Sequence, residues 1–169
     1  DRIAFAAVGL YSEYQLLRMA GVRHADLKGF SYSREDVSAK ELATAYSQTL
    51  HQIFTHEMKP YEVEILVAAV GQVPEDDELF HILYDGTVMD EEGCTVLGGQ
   101  AETIAEQLES RFDRANDAAV AIRLGASVLG EPNGSLAADQ LEVAMLDRAR
   151  GRRAFRRIRT AELETILAT

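Results

Sequence analysis

The sequence predicts an α+β domain in which helices pack on the faces of largely antiparallel sheets. Three observations lead to this fold class. Short segments rich in β-branched and aromatic residues fill the start and middle of the chain, helical periodicity follows Gly99, and strand-like alternation returns near the C-terminus. The chain has 169 residues, of which 47% are hydrophobic. That size suits one compact domain over residues 1–169 with a single core.

The first elements are a strand, a glycine turn and two helices. Residues 3–8 form an apolar run typical of a buried strand, which Gly9 ends. Ser12 is a candidate N-cap for the helix that follows. The segment Ser38-Ala39-Lys40-Glu41 has the spacing of a capping box and predicts a second helix. Lys59-Pro60 is expected to end that helix, because proline disfavours helical geometry in the residue before it.

An antiparallel meander is predicted next. Three short segments, residues 61–70, 78–84 and 88–97, are bounded by residues that favour turns. Asp85-Gly86 is the strongest hairpin signal in the chain, since glycine accepts the positive φ that a tight turn requires.

The second half of the chain returns to helical periodicity and then to strands. The predicted elements are helices over residues 101–112 and 118–129, a loop over 131–134, a strand over 141–145, its hairpin partner over 154–158, and a short final helix. Thr160 is the candidate cap of that last helix.

The composition excludes several classes of protein. Acidic residues outnumber basic ones 28 to 17, which argues against binding of nucleic acid or anionic lipid by the chain as a whole. The apolar stretches, such as residues 65–70, are far shorter than the roughly 20 residues of a membrane helix. A single cysteine cannot form an internal disulfide, which favours a reducing, cytoplasmic compartment.

No histidine or cysteine pattern predicts a metal or catalytic site. The four histidines are His24, His51, His56 and His81. The closest pair is five residues apart, whereas helical metal ligands are normally three or four apart. Cys94 lies beside Gly93 in a predicted strand and is interpreted as a small core or interface residue rather than a nucleophile.

Two further segments resemble ligand sites only weakly. Glu75-Asp76-Asp77-Glu78 gathers four carboxylates but lacks the alternating ligands of a calcium loop, so it is interpreted as a solvated turn. Gly98-Gly99 precedes a helix but lacks the lysine of a phosphate-binding loop. It is interpreted as a tight turn that lets the helix pack closely. No cofactor is predicted.

Positive charge is concentrated near the C-terminus. Seven of the 17 basic residues fall within 12 positions: Arg148, Arg150, Arg152, Arg153, Arg156, Arg157 and Arg159. A nucleic-acid patch would normally add several aromatic residues, and only Phe155 is present. An exposed hairpin, or a contact with an acidic neighbouring subunit, is therefore the preferred interpretation.

Several segments together resemble α-type proteasome subunits. They are residues 3–18, Lys59-Pro60-Tyr61-Glu62-Val63-Glu64, residues 79–88, Val96-Leu97-Gly98-Gly99, residues 116–130 and residues 141–147. The segment at 59–64 and the arginine-rich segment at 152–158 are typical of the actinobacterial branch. The resemblance implies a four-layer αββα sandwich of the N-terminal-nucleophile hydrolase type. It also implies seven-membered α-type rings that cap rings of catalytic β-type subunits.

The same resemblance implies a docking site for an activator's C-terminal tail. Gly9 and Leu10 match family positions that line this site. The family's gating tail, N-terminal helix, first strands and docking lysine would all precede Asp1, so we expect the chain to be truncated at its N-terminus. The alternative interpretation of Gly9-Leu10 is a strand-to-helix turn with one core leucine.

The resemblance therefore predicts a non-catalytic subunit that gates substrate entry into the proteasome core particle and docks regulatory ATPases. Peptidase activity in this fold needs an N-terminal threonine that acts as both nucleophile and base, and Asp1 supplies neither group. The alternatives are a catalytic β-type or related hydrolase subunit lacking its first residues, and a standalone binding module.

Overall fold

The computed structural model describes residues 2–131 and 134–168. It divides the chain into two compact units, Asp1–Glu92 (unit 1) and Gly93–Thr169 (unit 2). Both contain helices and strands, which agrees with the predicted α+β class. The four-layer arrangement and the single domain over residues 1–169 stay predictions.

Unit 1 contains two long helices and four strands. In chain order they are β1 (Ile3–Gly9), α1 (Tyr11–Ser31), α2 (Ala39–His56), β2 (Val63–Ala69), β3 (Glu78–Ile82) and β4 (Val88–Asp90). Unit 2 contains α3 (Ala101–Arg111), α4 (Ala118–Gly130), β5 (Val143–Leu146), β6 (Phe155–Ile158) and α5 (Thr160–Leu167). Within residues 2–131 and 134–168, no helix has both the length and the apolar character to span a bilayer.

The strands of unit 1 form an antiparallel sheet in the order β1-β2-β3-β4, as the predicted meander requires. At the predicted hairpin, Leu83 N–H donates to the Thr87 carbonyl at 2.9 Å, and Gly86 has φ +90°. The prediction for the fourth strand is wrong in length, because β4 ends at Asp90 rather than at residue 97. Gly93 has φ +94°, outside strand geometry, so Cys94 lies beyond the strand rather than within it.

The core of unit 1 lies between one face of this sheet and the two helices. Alternate residues of β2 are almost fully buried, with Ile65 at 1% and Val67 at 0% relative exposure. Leu42, Tyr46 and Leu50 of α2 belong to the same buried cluster. Their spacing of four residues places them on one helix face, so α2 covers the sheet with its apolar side.

Of the three predicted helix N-caps, one is confirmed and two are wrong. Ser38 Oγ accepts a hydrogen bond from Glu41 N–H at 3.2 Å, as the capping box predicts. Ser12 is not a cap, because α1 already begins at Tyr11 and Leu10 occupies the N-cap position. Thr160 is likewise the first helical residue of α5, and Arg159 is its N-cap. The helix α2 ends at His56, before Lys59-Pro60.

Unit 2 has its own small core. Ala138, Ile158 and Leu163 form its buried cluster. Strands β5 and β6 pair antiparallel, which confirms the predicted hairpin. The predicted loop over 131–134 includes Pro132 and Asn133, which lie outside the described residues.

Candidate functional site

The turn between β1 and α1 requires glycine at position 9. Gly9 has φ +119°, a conformation that residues with a Cβ rarely adopt. A Cβ at this position would overlap the Glu62 carbonyl oxygen and stand 2.9 Å from Val63 Cα. The backbone of β1 therefore lies against the segment leading into β2 more closely than any other residue would allow.

Leu10 follows this turn at the protein surface. Its side chain is 44% exposed, so it is not the core leucine of the alternative interpretation. Its backbone is firmly held, because its N–H donates to the Glu62 carbonyl at 2.9 Å. Its own carbonyl accepts from Glu13 N–H and Tyr14 N–H, both at 3.1 Å, which starts the helix α1. A fixed backbone thus presents an exposed apolar side chain.

A cavity of about 420 Å³, here called the Gly9 cleft, opens beside this turn. Its lining includes Gly9, Lys59, Glu64 and the rings of Phe54 and Tyr84. The two ring centroids are 5.8 Å apart and tilted by 59°. Such an arrangement of aromatic rings with a few polar groups suits an inserted side chain.

A buried carboxylate that the sequence did not reveal lies behind the cleft. Glu13 of α1 is only 8% exposed. Its Oε1 accepts from Lys59 Nζ at 2.8 Å and its Oε2 accepts from Glu62 N–H at 2.7 Å. Burial acts to raise the pKa of Glu13, but the Lys59 and Glu62 hydrogen bonds together with the Lys59 charge outweigh it and lower the pKa. An acidic residue in a helix's first turn is common, and nothing local identifies its partners.

His81 differs from the other three histidines, which are exposed. It is 6% exposed, with Nε2 lying 3.0 Å from Glu64 Oε2 and Nδ1 lying 3.6 Å from Glu91 Oε1. The two carboxylates face opposite ring nitrogens, so this group fixes the ring between strands. In residues 2–131 and 134–168, no set of three or more His, Cys, Asp or Glu side chains is arranged to hold a metal ion.

The acidic turn matches its predicted interpretation. Glu75, Asp76 and Asp77 are exposed, and Pro74 opens a single helical turn. Asp77 Oδ1 accepts from Gly71 N–H at 2.8 Å, which closes the loop.

The tight turn predicted at Gly98-Gly99 is observed, since Ala101 N–H donates to the Gly98 carbonyl at 3.2 Å. The predicted close packing of the helix through these glycines is wrong. Among the described residues, no atom lies within 4 Å of where a Cβ would stand on either glycine. Gly98 instead has φ +119°, so backbone conformation rather than packing explains the glycine.

The arginine-rich segment forms the connection and second strand of an exposed hairpin, as predicted. Arg156 pairs with Glu162 at 2.8 Å and Arg157 with Glu142 at 3.4 Å. Arg150, Arg152 and Arg153 are exposed on the connection. Positive charge therefore remains on the surface of unit 2.

Comparison with known proteins identifies the family. The family model described as "Proteasome subunit" matches residues 1–146. The chain is 49% identical to "Proteasome subunit alpha" of Geodermatophilus obscurus over 99% of this chain and 62% of that protein. It is 49% identical to the protein of that name in Kineococcus radiotolerans, over 99% of this chain and 75% of that one. It is 52% identical to the protein of that name in Acidothermus cellulolyticus, over 99% of this chain and 74% of that one. The resemblance to actinobacterial α-type subunits is thus confirmed, and the chain belongs to the proteasome subunit family.

Proposed function

We propose that this chain is a non-catalytic outer-ring subunit of the proteasome core particle. In this role it gates substrate entry and docks a regulatory ATPase or other activator during intracellular protein degradation. The observation that carries the proposal is an identity of about half, over nearly the whole chain, to relatives named "Proteasome subunit alpha".

The proposal includes the assembly. The chain joins other α-type subunits in a seven-membered ring that caps a ring of catalytic β-type subunits, which hold the threonine-type endopeptidase activity. It folds as one four-layer domain, works in the cytoplasm, and binds neither nucleic acid nor membrane.

The Gly9-Leu10 turn supports the docking role. Gly9 lets the chain turn tightly against the Glu62 carbonyl, and Leu10, which follows it, offers an apolar surface that is 44% exposed. An extended tail is recognised by backbone hydrogen bonds and shallow apolar contacts of this kind. The hydrogen bond from Leu10 N–H to the Glu62 carbonyl holds the Leu10 backbone in place before a tail binds.

The docking proposal is tested with particles assembled from the full-length subunit and its β-type partners. Leu10→Tyr should crowd the docking site, so that particles bind a fluorescent activator-tail peptide less tightly while basal peptide hydrolysis persists. Leu129→Tyr is the matched control, because Leu129 is 50% exposed on α4. Equal tail binding by wild-type and Leu10→Tyr particles would mean that Gly9-Leu10 is a structural turn with no docking role.

The non-catalytic role has a separate test. The full-length subunit purified without β-type partners should not hydrolyse short fluorogenic peptides, and particles containing both subunit types should. Turnover by the subunit alone, at a rate unchanged by inhibitors of contaminating proteases, would support the alternative of a catalytic subunit.

A further inference from the structure

The wall of the Gly9 cleft is a short segment without secondary structure of its own. Residues 59–62 lie between the end of α2 at His56 and the start of β2 at Val63. All four of these residues line the cleft. No strand ladder fixes this segment, so its position depends on other contacts.

Those contacts converge on one carboxylate. Glu13 binds both ends of the wall, Lys59 Nζ at 2.8 Å through Oε1 and Glu62 N–H at 2.7 Å through Oε2. Glu62 in turn accepts from Leu10 N–H at 2.9 Å, and Leu10 accepts from Glu13 N–H at 3.1 Å. Hydrogen bonds therefore link Leu10, Glu13 and Glu62 in a closed ring, which joins the Gly9-Leu10 turn to the wall.

We propose that Glu13 is a positioning residue for activator docking, which holds the wall of the Gly9 cleft and the Leu10 turn in the geometry that receives a tail. This inference rests on the proposed docking function. Glu13 acts through Lys59 and Glu62 and does not touch the tail itself.

The burial of Glu13 favours this role. In the part of the chain that the structure describes, Glu13 is the only acidic side chain that is buried. A buried carboxylate is costly unless each oxygen is satisfied, and here each oxygen has one close donor. Replacing the charge therefore weakens both ends of the wall together.

Lys59 allows docking to be separated from stability. Its side chain is 58% exposed, so truncating it removes little packing, but it leaves Oε1 of Glu13, whose side chain is 11% exposed, without its donor. Tail binding and melting temperature are therefore measured together, and weaker binding by particles that are fully folded at the assay temperature reports the position of the wall. A merely structural role of the ion pair would leave tail binding unaltered.

The experiment uses particles of full-length subunits and a fluorescent peptide with the C-terminal sequence of the organism's own proteasomal ATPase. Lys59→Met should weaken peptide binding by roughly threefold to fivefold, because one of the two hydrogen bonds that join Glu13 to the wall is lost. Glu13→Gln should weaken it by roughly tenfold, because a buried charge-assisted hydrogen bond is lost. Lys59→Arg keeps a cation for Glu13 and should bind the peptide as the wild type does.

Lys28→Met is the matched control, because it removes the other lysine–glutamate ion pair of α1, which joins Lys28 to Glu41 of α2. It should leave peptide binding unchanged. Hydrogen exchange gives a second readout: the Leu10 and Glu62 amides should exchange faster in Glu13→Gln particles, while amides in the centre of β2 should not.

The possible results distinguish the two claims. If Leu10→Tyr weakens peptide binding but Glu13→Gln and Lys59→Met do not, the positioning role is wrong and the docking function stands. If wild-type particles bind no tail peptide, both are wrong. Weakened binding by Glu13→Gln and Lys59→Met, with Lys59→Arg and Lys28→Met unaffected, supports the positioning role.

Discussion

The hydroxyl of Tyr46 on α2 lies directly over Gly21 on α1, in the space that a Cβ on Gly21 would occupy. Tyr46 is 3% exposed, and among the described residues its hydroxyl has no hydrogen-bond partner. The two helices thus approach each other through a position that has no side chain. The packing of α1 against α2 is therefore sensitive to the addition of a single methyl group at position 21.

Gly21→Ala should destabilise the subunit by up to about 2 kcal/mol. Overpacking a buried contact costs about 1–3 kcal/mol, and the higher helix propensity of alanine returns only about 1 kcal/mol. Urea denaturation of the full-length subunit measures the change. Gly29→Ala, also in α1, is the control, since its Cβ would stand 3.4 Å from Arg34 Cγ in ordinary contact. Equal stability of the two variants would contradict the close crossing.

Tyr46→Phe should recover part of that loss in the Gly21→Ala background. The substitution removes the hydroxyl that clashes with the new methyl group, but the ring carbon Cζ still lies 2.5 Å from the Cβ position. The double-mutant cycle should therefore give a favourable coupling free energy between the two substitutions. Strictly additive changes in the free energy of unfolding would show that a methyl group at position 21 does not contact the Tyr46 hydroxyl.

The phenol of Tyr46 should also make the subunit sensitive to alkaline pH. Burial raises the pKa of Tyr46 from 10.0 to about 12. Between these values the unfolded chain loses the proton more readily than the folded one, so stability should fall as pH rises from 10 to 12. Tyr46→Phe should show a smaller alkaline loss in the same denaturation series. Parallel losses in both proteins would contradict this cause.

The features that the sequence predicted correctly are those set by neighbours along the chain. The Ser38 cap and the Asp85-Gly86 turn each depend on contacts within a few residues, and both are observed. The Ser12 cap failed because Gly9 reverses the backbone so sharply that the helix begins immediately after Leu10. The prediction of a long fourth strand was wrong because the backbone at Gly93 departs from strand geometry.

The candidate site was only partly accessible from sequence. Gly9 and Leu10 came from the family resemblance, since a glycine followed by a leucine has no chemical signature. Glu13 and Lys59 are 46 positions apart, and only the fold brings their side chains together. The burial of His81 between Glu64 and Glu91 depends on strand register in the same way.

Glu13 should contribute to stability only while it is charged. Its pKa in the folded chain is below the usual 4.5, because the Lys59 and Glu62 hydrogen bonds and the Lys59 charge outweigh the opposing effect of burial. Its contribution is therefore complete above pH 4.5 and is lost as pH falls through the lowered value. The stability difference between wild type and Glu13→Gln should be largest near pH 7 and should shrink on acidification. A difference independent of pH would mean that the charge has no role in folding.

Ring assembly should depend on the exposed arginines of unit 2. Unit 1 has 17 acidic and seven basic residues, whereas Arg150, Arg152 and Arg153 lie on one exposed connection. Opposite charges on neighbouring copies attract one another in a manner that salt screens. Full-length subunits should form seven-membered rings by native mass spectrometry, with fewer rings as ionic strength rises. Arg152→Glu with Arg153→Glu should reduce ring formation more than the control pair Arg34→Glu with Lys40→Glu, which reverses two exposed cations of unit 1. Rings that form equally with both pairs, at every salt concentration, would exclude this segment from the subunit contact.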